Sequence, residues 1–292
     1  MTESEFLTAL RALPLHPGAQ GLLDDTAVLG ALVLTTDTLV EGVHYLPADP
    51  PASIGWKLAA VNLSDLAAKG AIPAGCLLNY ALSGDSAWDA AFLGGLGEAL
   101  TRYAMPLLGG DTVAMPAGAP RSYSLTAIGR AATPPARSGA QAGDALWVTG
   151  TIGGAGAGLA IARGGEGPAG LLDRYRRPTP RLAEGIALAP HVHAMMDVSD
   201  GLLLDAARMA AASGLAVAID LAHVPLSPHL HDSLAAAAAG DDYELLFAAA
   251  PGFAPPVPAT QVGHFAAGTG LTLSSHGAPV PLPAALGYLH RA

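Results

Sequence analysis

The chain has 292 residues, which suits two domains of roughly 130–160 residues better than one core. With 51% hydrophobic and 13% charged residues it can bury a large core, which excludes a disordered chain, and no apolar run reaches the ~18–20 uninterrupted residues of a membrane span. Its 24 acidic against 14 basic residues, a formal net charge of −10, would repel a phosphate backbone, so nucleic acid is excluded as a partner. The N-terminal "MTESEFLTALRALP" carries acids where a secretory signal would carry a basic region. The single cysteine, Cys76, offers neither a disulfide framework nor a Cys-based zinc site, and the expected setting is a reducing cytoplasm.

In chain order, "ALVLTTDTLV" (31–40) is β-branched and apolar and predicts a buried strand leading to polar Thr35, Thr36 and Asp37. "SIGWKLAAVNLSDLAAKGA" (53–71) predicts a helix capped by Ser53, with Asn62, Asp65 and Lys69 on its polar face. "AFLGGLGEALTRYAMP" (91–106) predicts a second helix, which leads through "LLGGDTV" (107–113) into the strand "SYSLTAIGRA" (122–131). The Pro- and Gly-rich "TPPARSGAQAGD" (133–144) predicts the joint between domains 1–135 and 136–292. Beyond it, "ALWVTG" is a strand, "TIGGAGAG" a glycine loop and "LAIA" the start of a helix. "HVHAMMDVSD" (191–200) runs as a strand into a helix capped by Ser199 or Asp200 and ended by Gly214, with further strands at "LAVAIDLAHVPL" and "GDDYELLFAAA". Alternating strands and helices in both halves define the class as α/β or α+β.

The glycine loop lacks the Gly-Lys-Ser/Thr of a phosphate-binding Walker loop, and its glycines do not have dinucleotide-binding spacing. A tight strand-to-helix turn explains it as well. "HVH" and "HLH" have no third ligand nearby and do not make a zinc site.

The aspartates carry more. Asp25, Asp37, Asp65, Asp111 and Asp197 each sit at a strand end, in a glycine turn or on a helix polar face. Any one of them has a bland explanation: Asp200 as a cap, or Asp65 paired with Lys69 at i+4 for about 0.2–0.5 kcal/mol. If they converge, each like-charge pair near 4 Å costs about 4 kcal/mol at an effective dielectric of ~20. Such a set is stable only around hard cations, and carboxylates without His or Cys call for Mg²⁺ or Mn²⁺, the usual escorts of phosphates.

In their order and spacing, "DDTAVL", "TTDTLVEGVHYL", "AVNLSDLAAKGAIP", "GGDT", "RSGAQAGD", "DVSDGL" and "GDDYEL" resemble the thiamine-monophosphate kinases. That family lies within the superfamily named for aminoimidazole ribonucleotide synthetase. The resemblance covers nearly the whole chain, from about Asp24 to Tyr288. It implies a two-domain α/β (α+β) fold, with an N-terminal mixed sheet and helices that pair in a homodimer and a C-terminal α/β domain. The implied reaction is direct in-line phosphorylation of thiamine monophosphate to thiamine diphosphate, with ATP as co-substrate and several Mg²⁺ ions.

Carried across residue by residue, the resemblance gives Asp25, Asp37, Asp65, Asp111, Asp197 and Asp200 as metal positions, with Thr35 and Thr36 as further oxygen ligands. Gly110, Asp111, Arg137 and Ser199 fall at the nucleotide, and Asp37, Asp111 and Arg137 at the transfer itself. His44, Asp241, Glu244 and Tyr288 fall at the thiamine phosphate and thiamine end. Two departures stand out: Leu23 occupies a usual Gly place, and Asp241 a usual Glu place. The first questions the tight geometry of that turn. Rival readings are another ATP-dependent enzyme on the same scaffold, a nucleotide- or thiamine-phosphate-binding protein without turnover, and a two-metal phosphohydrolase. A selenide enzyme would need a reactive cysteine, for which Cys76 is the only candidate.

Overall fold

In the computed structural model, which describes residues 3–116 and 118–290, the protein is a two-domain α/β (α+β) molecule built on two mixed sheets. The first sheet has the order β1-β2-β5-β3-β4, formed by β1 (Ala27–Leu29), β2 (Leu32–Val40), β3 (Ile72–Leu82), β4 (Leu107–Ala114) and β5 (Ser122–Arg130). All its pairings are antiparallel except β3 with β4, which is parallel and sits at the edge. "LLGGDTV" is therefore a strand in its own right and not a connection. Its glycines have no strand propensity, and pairing with β3 supplies what the side chains do not.

One face of this sheet carries α2 (Pro51–Ala68) and, beyond it, α3 (Ser86–Arg102); the short α1 (Glu3–Leu10) precedes them in the chain. Within α2 only Pro51, Ala52 and Asp65 escape full burial, because the helix packs on the sheet, on α3 and on the second domain at once. The predicted Ser53 cap is corrected. Pro50 and Pro51 start the helix earlier, and the Ser53 hydroxyl turns back to the Pro50 carbonyl at 2.7 Å. α3 does carry a side-chain cap: Asp85 accepts the N–H groups of Ala87 and Trp88. The two helices cross closely at Gly95, where an added Cβ would lie 1.8 Å from the Ala52 carbonyl oxygen.

The second sheet has the order β12-β11-β8-β10-β6-β9-β7, with β6 (Ala145–Thr149), β7 (Ala194–Asp197), β8 (Leu215–Asp220), β9 (Leu245–Ala249), β10 (Ala259–Ala267), β11 (Gly270–Ser275) and β12 (Ala278–Val280). Its helices are α4 (Gly154–Ala162), α5 (Ala169–Arg176), α6 (Leu182–Leu188), α7 (Leu202–Ala212) and α8 (Ser233–Ala237). α4 begins inside the glycine run. α7 begins after Gly201, and neither the Ser199 nor the Asp200 side chain caps it; the buried Asp205 instead accepts the N–H groups of Ser199, Asp200 and Gly201. The last predicted strand begins only at Leu245, since Asp241 and Tyr243 turn the chain with φ of 70° and 52°.

The two domains share a core in which Ala67 and Ala68 of α2 meet Leu188, Met195, Leu245 and Phe247. Gly185 permits this contact: a Cβ there would lie 2.0 Å from the Ala67 carbonyl oxygen. No helix among the described residues is long and apolar enough to cross a membrane.

Candidate active site

A cavity of about 1220 Å³ opens where the two domains meet. Its floor is the outer edge of β2, unpaired from Thr35 onward because β1 covers only Leu32–Leu34. Asp65 of α2, Asp197 at the end of β7, the turn carrying Ser199 and Asp200, and the segment around Gly240 and Asp241 form its walls. Residues Gly287, Tyr288 and His290 close one side, tied back by a bond from the Tyr288 N–H to the Asp200 carbonyl at 2.9 Å.

Asp25, Asp65 and Asp197 present carboxylate oxygens that all lie within 4.8 Å of one another. Neighbouring groups fix them. The Thr35 hydroxyl donates to Asp65, and the Ser64 hydroxyl donates to Asp197 at 2.6 Å. Asp37 lines the same wall, with its N–H donating to Asn62 Oδ1 at 3.1 Å. Two fixed cations lie beside them. Lys69 pairs with Asp24, stands 3.6 Å from Asp25 and donates to the Met195 carbonyl at 3.2 Å. Arg137 pairs with Asp25, and its N–H donates to Asp24 at 3.0 Å. Lys69 is thus turned away from Asp65, and the i, i+4 pair that the sequence allows does not form.

The titrations follow from this arrangement. Burial would raise Asp25, but Arg137 and Lys69 outweigh it and hold the carboxyl below its usual range. Burial, with Asp25 and Asp200 nearby, pushes Asp37 up to about 6. Asp65 and Asp197 are driven well above the usual carboxylate range by burial and by neighbouring acids. Three acids are therefore held with their charges in conflict. Oδ2 of Asp25 is buried with no hydrogen-bond partner. An all-oxygen, all-carboxylate set of this kind fits a hard cation such as Mg²⁺.

The other predicted residues divide. Thr36 lines the cavity, although its hydroxyl also meets the Leu125 carbonyl at 3.3 Å. Ser199 and Asp200 line the opposite wall, with Asp200 paired to Arg208. His44, Asp241 and Tyr288 gather at one end, where the His44 and His290 rings are 5.4 Å apart. Burial and His290 push the His44 imidazole below its ordinary value, so the ring is neutral near pH 7. Leu23 has φ of −111°, which any residue adopts; the left-handed positions of its turn are Gln20, Gly21 and Leu22. The missing glycine at 23 is no obstacle.

Gly110, Asp111 and Glu244 are not brought to the cavity within one chain. Every residue of β4 is exposed. Asp111 pairs in register with Asn79, which puts it on the sheet face opposite Asp37 and three strand spacings away, about 14 Å. Glu244 is 1% exposed and accepts from Arg181 at 2.7 and 2.6 Å and from the Thr149 hydroxyl at 2.8 Å. In the glycine loop, buried Asp242 takes the Gly153 and Ala155 N–H groups at 2.6 and 3.2 Å, while Ala155 and Gly156 line the cavity.

Sequence reasoning gave Asp24, Asp205 and Arg208 no role at the site, and gave Lys69 only a pairing with Asp65. The doubled acid in "DDTAVL" and the scarcity of lysine, which occurs only twice in the chain, were the available signals.

By its two domains the chain is an AIR synthase-related protein. Family models for the N-terminal and C-terminal domains of "AIR synthase related protein" match residues 23–131 and 141–273. Within that class the chain belongs to the thiamine-monophosphate kinase family. It is 38% identical over 306 residues to the thiamine-monophosphate kinase of Caulobacter vibrioides, covering 94% of this chain and 86% of the relative. It is 41% identical over 247 residues to that of Escherichia coli K12, covering 78% and 75%. A solved structure described as AaThiL complexed with AMPPCP and TMP superposes with a TM-score of 0.86 at 28% identity, over 99% of this chain and 97% of that one. The hydrogenase maturation protein HypE in complex with ATP, at 18% identity and a TM-score of 0.74 over 98% of this chain and 94% of its own, shares the fold alone.

Proposed function

We propose that the chain transfers the γ-phosphoryl group of ATP directly to the phosphate of thiamine monophosphate, giving thiamine diphosphate and ADP, with Mg²⁺ held by Asp25, Asp37, Asp65 and Asp197. The observation that carries this reading is the convergence of Asp25, Asp65 and Asp197 in the interdomain cleft. Their mutual repulsion needs cations, and Mg²⁺, when bound, supplies the positive charge that two anionic reactants require to approach. Thr35 orients Asp65, and Ser64 orients Asp197. Arg137, lining the cavity beside Asp25, provides a planar donor for the nucleotide phosphates, with Ser199 on the facing wall. His44, Asp241 and Tyr288 receive the acceptor. Its phosphate is largely ionised near neutral pH (second pKa roughly 6), so no strong base is needed, in keeping with a neutral His44.

Purified protein with Mg²⁺, ATP and thiamine monophosphate is expected to form thiamine diphosphate and ADP in equal amounts by chromatography. Asp37→Asn should abolish both. ADP released without the acceptor would move the reading to a hydrolase.

The placement of Gly110 and Asp111 supports a homodimer. Ile72, Leu77, Leu82, Leu107, Leu108 and Val113 are 41–59% exposed on one edge of the first sheet, and β4 leaves an unblocked edge. A second copy covering this surface would bury those side chains and bring Asp111 to a cleft across the subunit boundary. Leu108→Asp is expected to give a monomer by light scattering, with its circular dichroism unchanged and its kinase activity lost; an active monomer would refute the shared site. The division at 135/136 and a cytoplasmic setting, where ATP is made and a lone buried Cys76 stays reduced, complete the proposal.

A further inference from the structure

Lys57 and Lys69 are the only lysines in a chain with 14 basic residues, and both are enclosed, at 2% and 1% exposure. Each places a compact ammonium, a point charge rather than a planar fork, among protein groups. Lys69 belongs to the acidic wall. Lys57 does not. From the middle of α2 its Nζ donates to the His44 carbonyl at 3.1 Å and to Asp241 Oδ2 at 2.7 Å, and it lies 4.4 Å from the centre of the Tyr175 ring. Two hydrogen bonds and a cation–π contact thus hold the ammonium.

The partners come from both domains. His44 follows β2 in the first, while Asp241 and Tyr175 belong to the second. Asp241 is itself held hard: its Oδ1 accepts the Tyr243 hydroxyl at 2.9 Å, and both residues have left-handed backbone. That conformation is unfavourable for residues other than glycine and persists only where the surroundings over-determine it. His44 and Asp241 both line the acceptor end of the cavity, and one buried ammonium is bonded to both.

We propose that Lys57 is a positioning residue for the acceptor: it fixes the His44 segment against Asp241 across the domain boundary and so sets the width of the thiamine-phosphate end of the cleft. This inference rests on the acceptor assignment above. The ammonium does not touch the nucleotide end. Its loss therefore separates the two substrates.

The test is steady-state kinetics and calorimetric thiamine monophosphate binding on the wild type, Lys57→Met and Lys57→Gln, with thermal melting to check folding. Lys57→Met is expected to raise KM and Kd for thiamine monophosphate about 10- to 100-fold, the equivalent of one lost charge-assisted hydrogen bond. KM for ATP and kcat should stay within about threefold, a split that general loosening of the fold would not produce. Lys57→Gln, which keeps a donor without the charge, should fall between. A parallel rise in both KM values, a fall in kcat alone, an unchanged KM in a folded variant, or failure of both variants to fold would overturn the role of Lys57. A wild type that neither binds nor phosphorylates thiamine monophosphate would take down the functional reading itself and this inference with it.

Discussion

Asp197→Asn is expected to lower kcat/KM by about 10²–10³-fold, the cost of removing one preorganised group that stabilises charge in transfer, and at the same time to raise the stability of the metal-free protein. Asp197 is 2% exposed, faces Asp25 and Asp65, and has a carboxyl driven well above its ordinary value of 3.8. A folded-state value above the unfolded one means that this group favours folding only in acid, and that stability is lost as pH rises past the unfolded value towards the folded one. At neutral pH the wild type bears that loss. Asparagine removes it while leaving a carbonyl to accept the Ser64 hydroxyl, now at 2.6 Å. Melting curves in EDTA should therefore show the variant more stable than the wild type at pH 7.5, with the gap closing towards pH 4. In Mg²⁺ the order should reverse, because only the wild type gains from the cation. A variant less stable than the wild type in EDTA at pH 7.5 would refute the account of repelling acids.

Glu244→Ala should act in the opposite sense, costing about 3–5 kcal/mol of stability, as removal of one partner of a buried ion pair does. Both Glu244 oxygens are taken by Arg181, and Thr149, which donates to one of them, also accepts the Leu245 N–H at 2.8 Å. Truncation leaves the arginine with only the longer Glu184 contact, at 3.5 Å, and loosens the start of β9. Urea unfolding measures the loss. If Glu244 served only this pair, the folded variant would keep KM for thiamine monophosphate within about twofold. A raised KM with full stability would assign it to the acceptor after all.

The three acids of "GDDYEL" show how far the sequence could be read. In one dimension they form a single acidic motif. The left-handed turns at Asp241 and Tyr243 send them to three places: Asp241 to the cleft, Asp242 to the start of α4, and Glu244 to Arg181. Nothing local announces those turns, because neither residue is glycine. β2 was legible because its β-branched residues state their own conformation. β4 was not, because it is a strand only by virtue of β3 beside it. The convergence of Asp25, Asp65 and Asp197 could be expected from their type and apolar setting. The partners of Asp25 could not, since helical spacing aimed Lys69 at Asp65 whereas the end of α2 swings it to Asp24.

Those partners bear on how the molecule comes into being. With Lys69 and Arg137 seated among Asp24 and Asp25, part of the acidic wall is neutralised by the chain itself. The cleft comes with counter-charge of its own, so the two domains can close on one another before anything is bound between them.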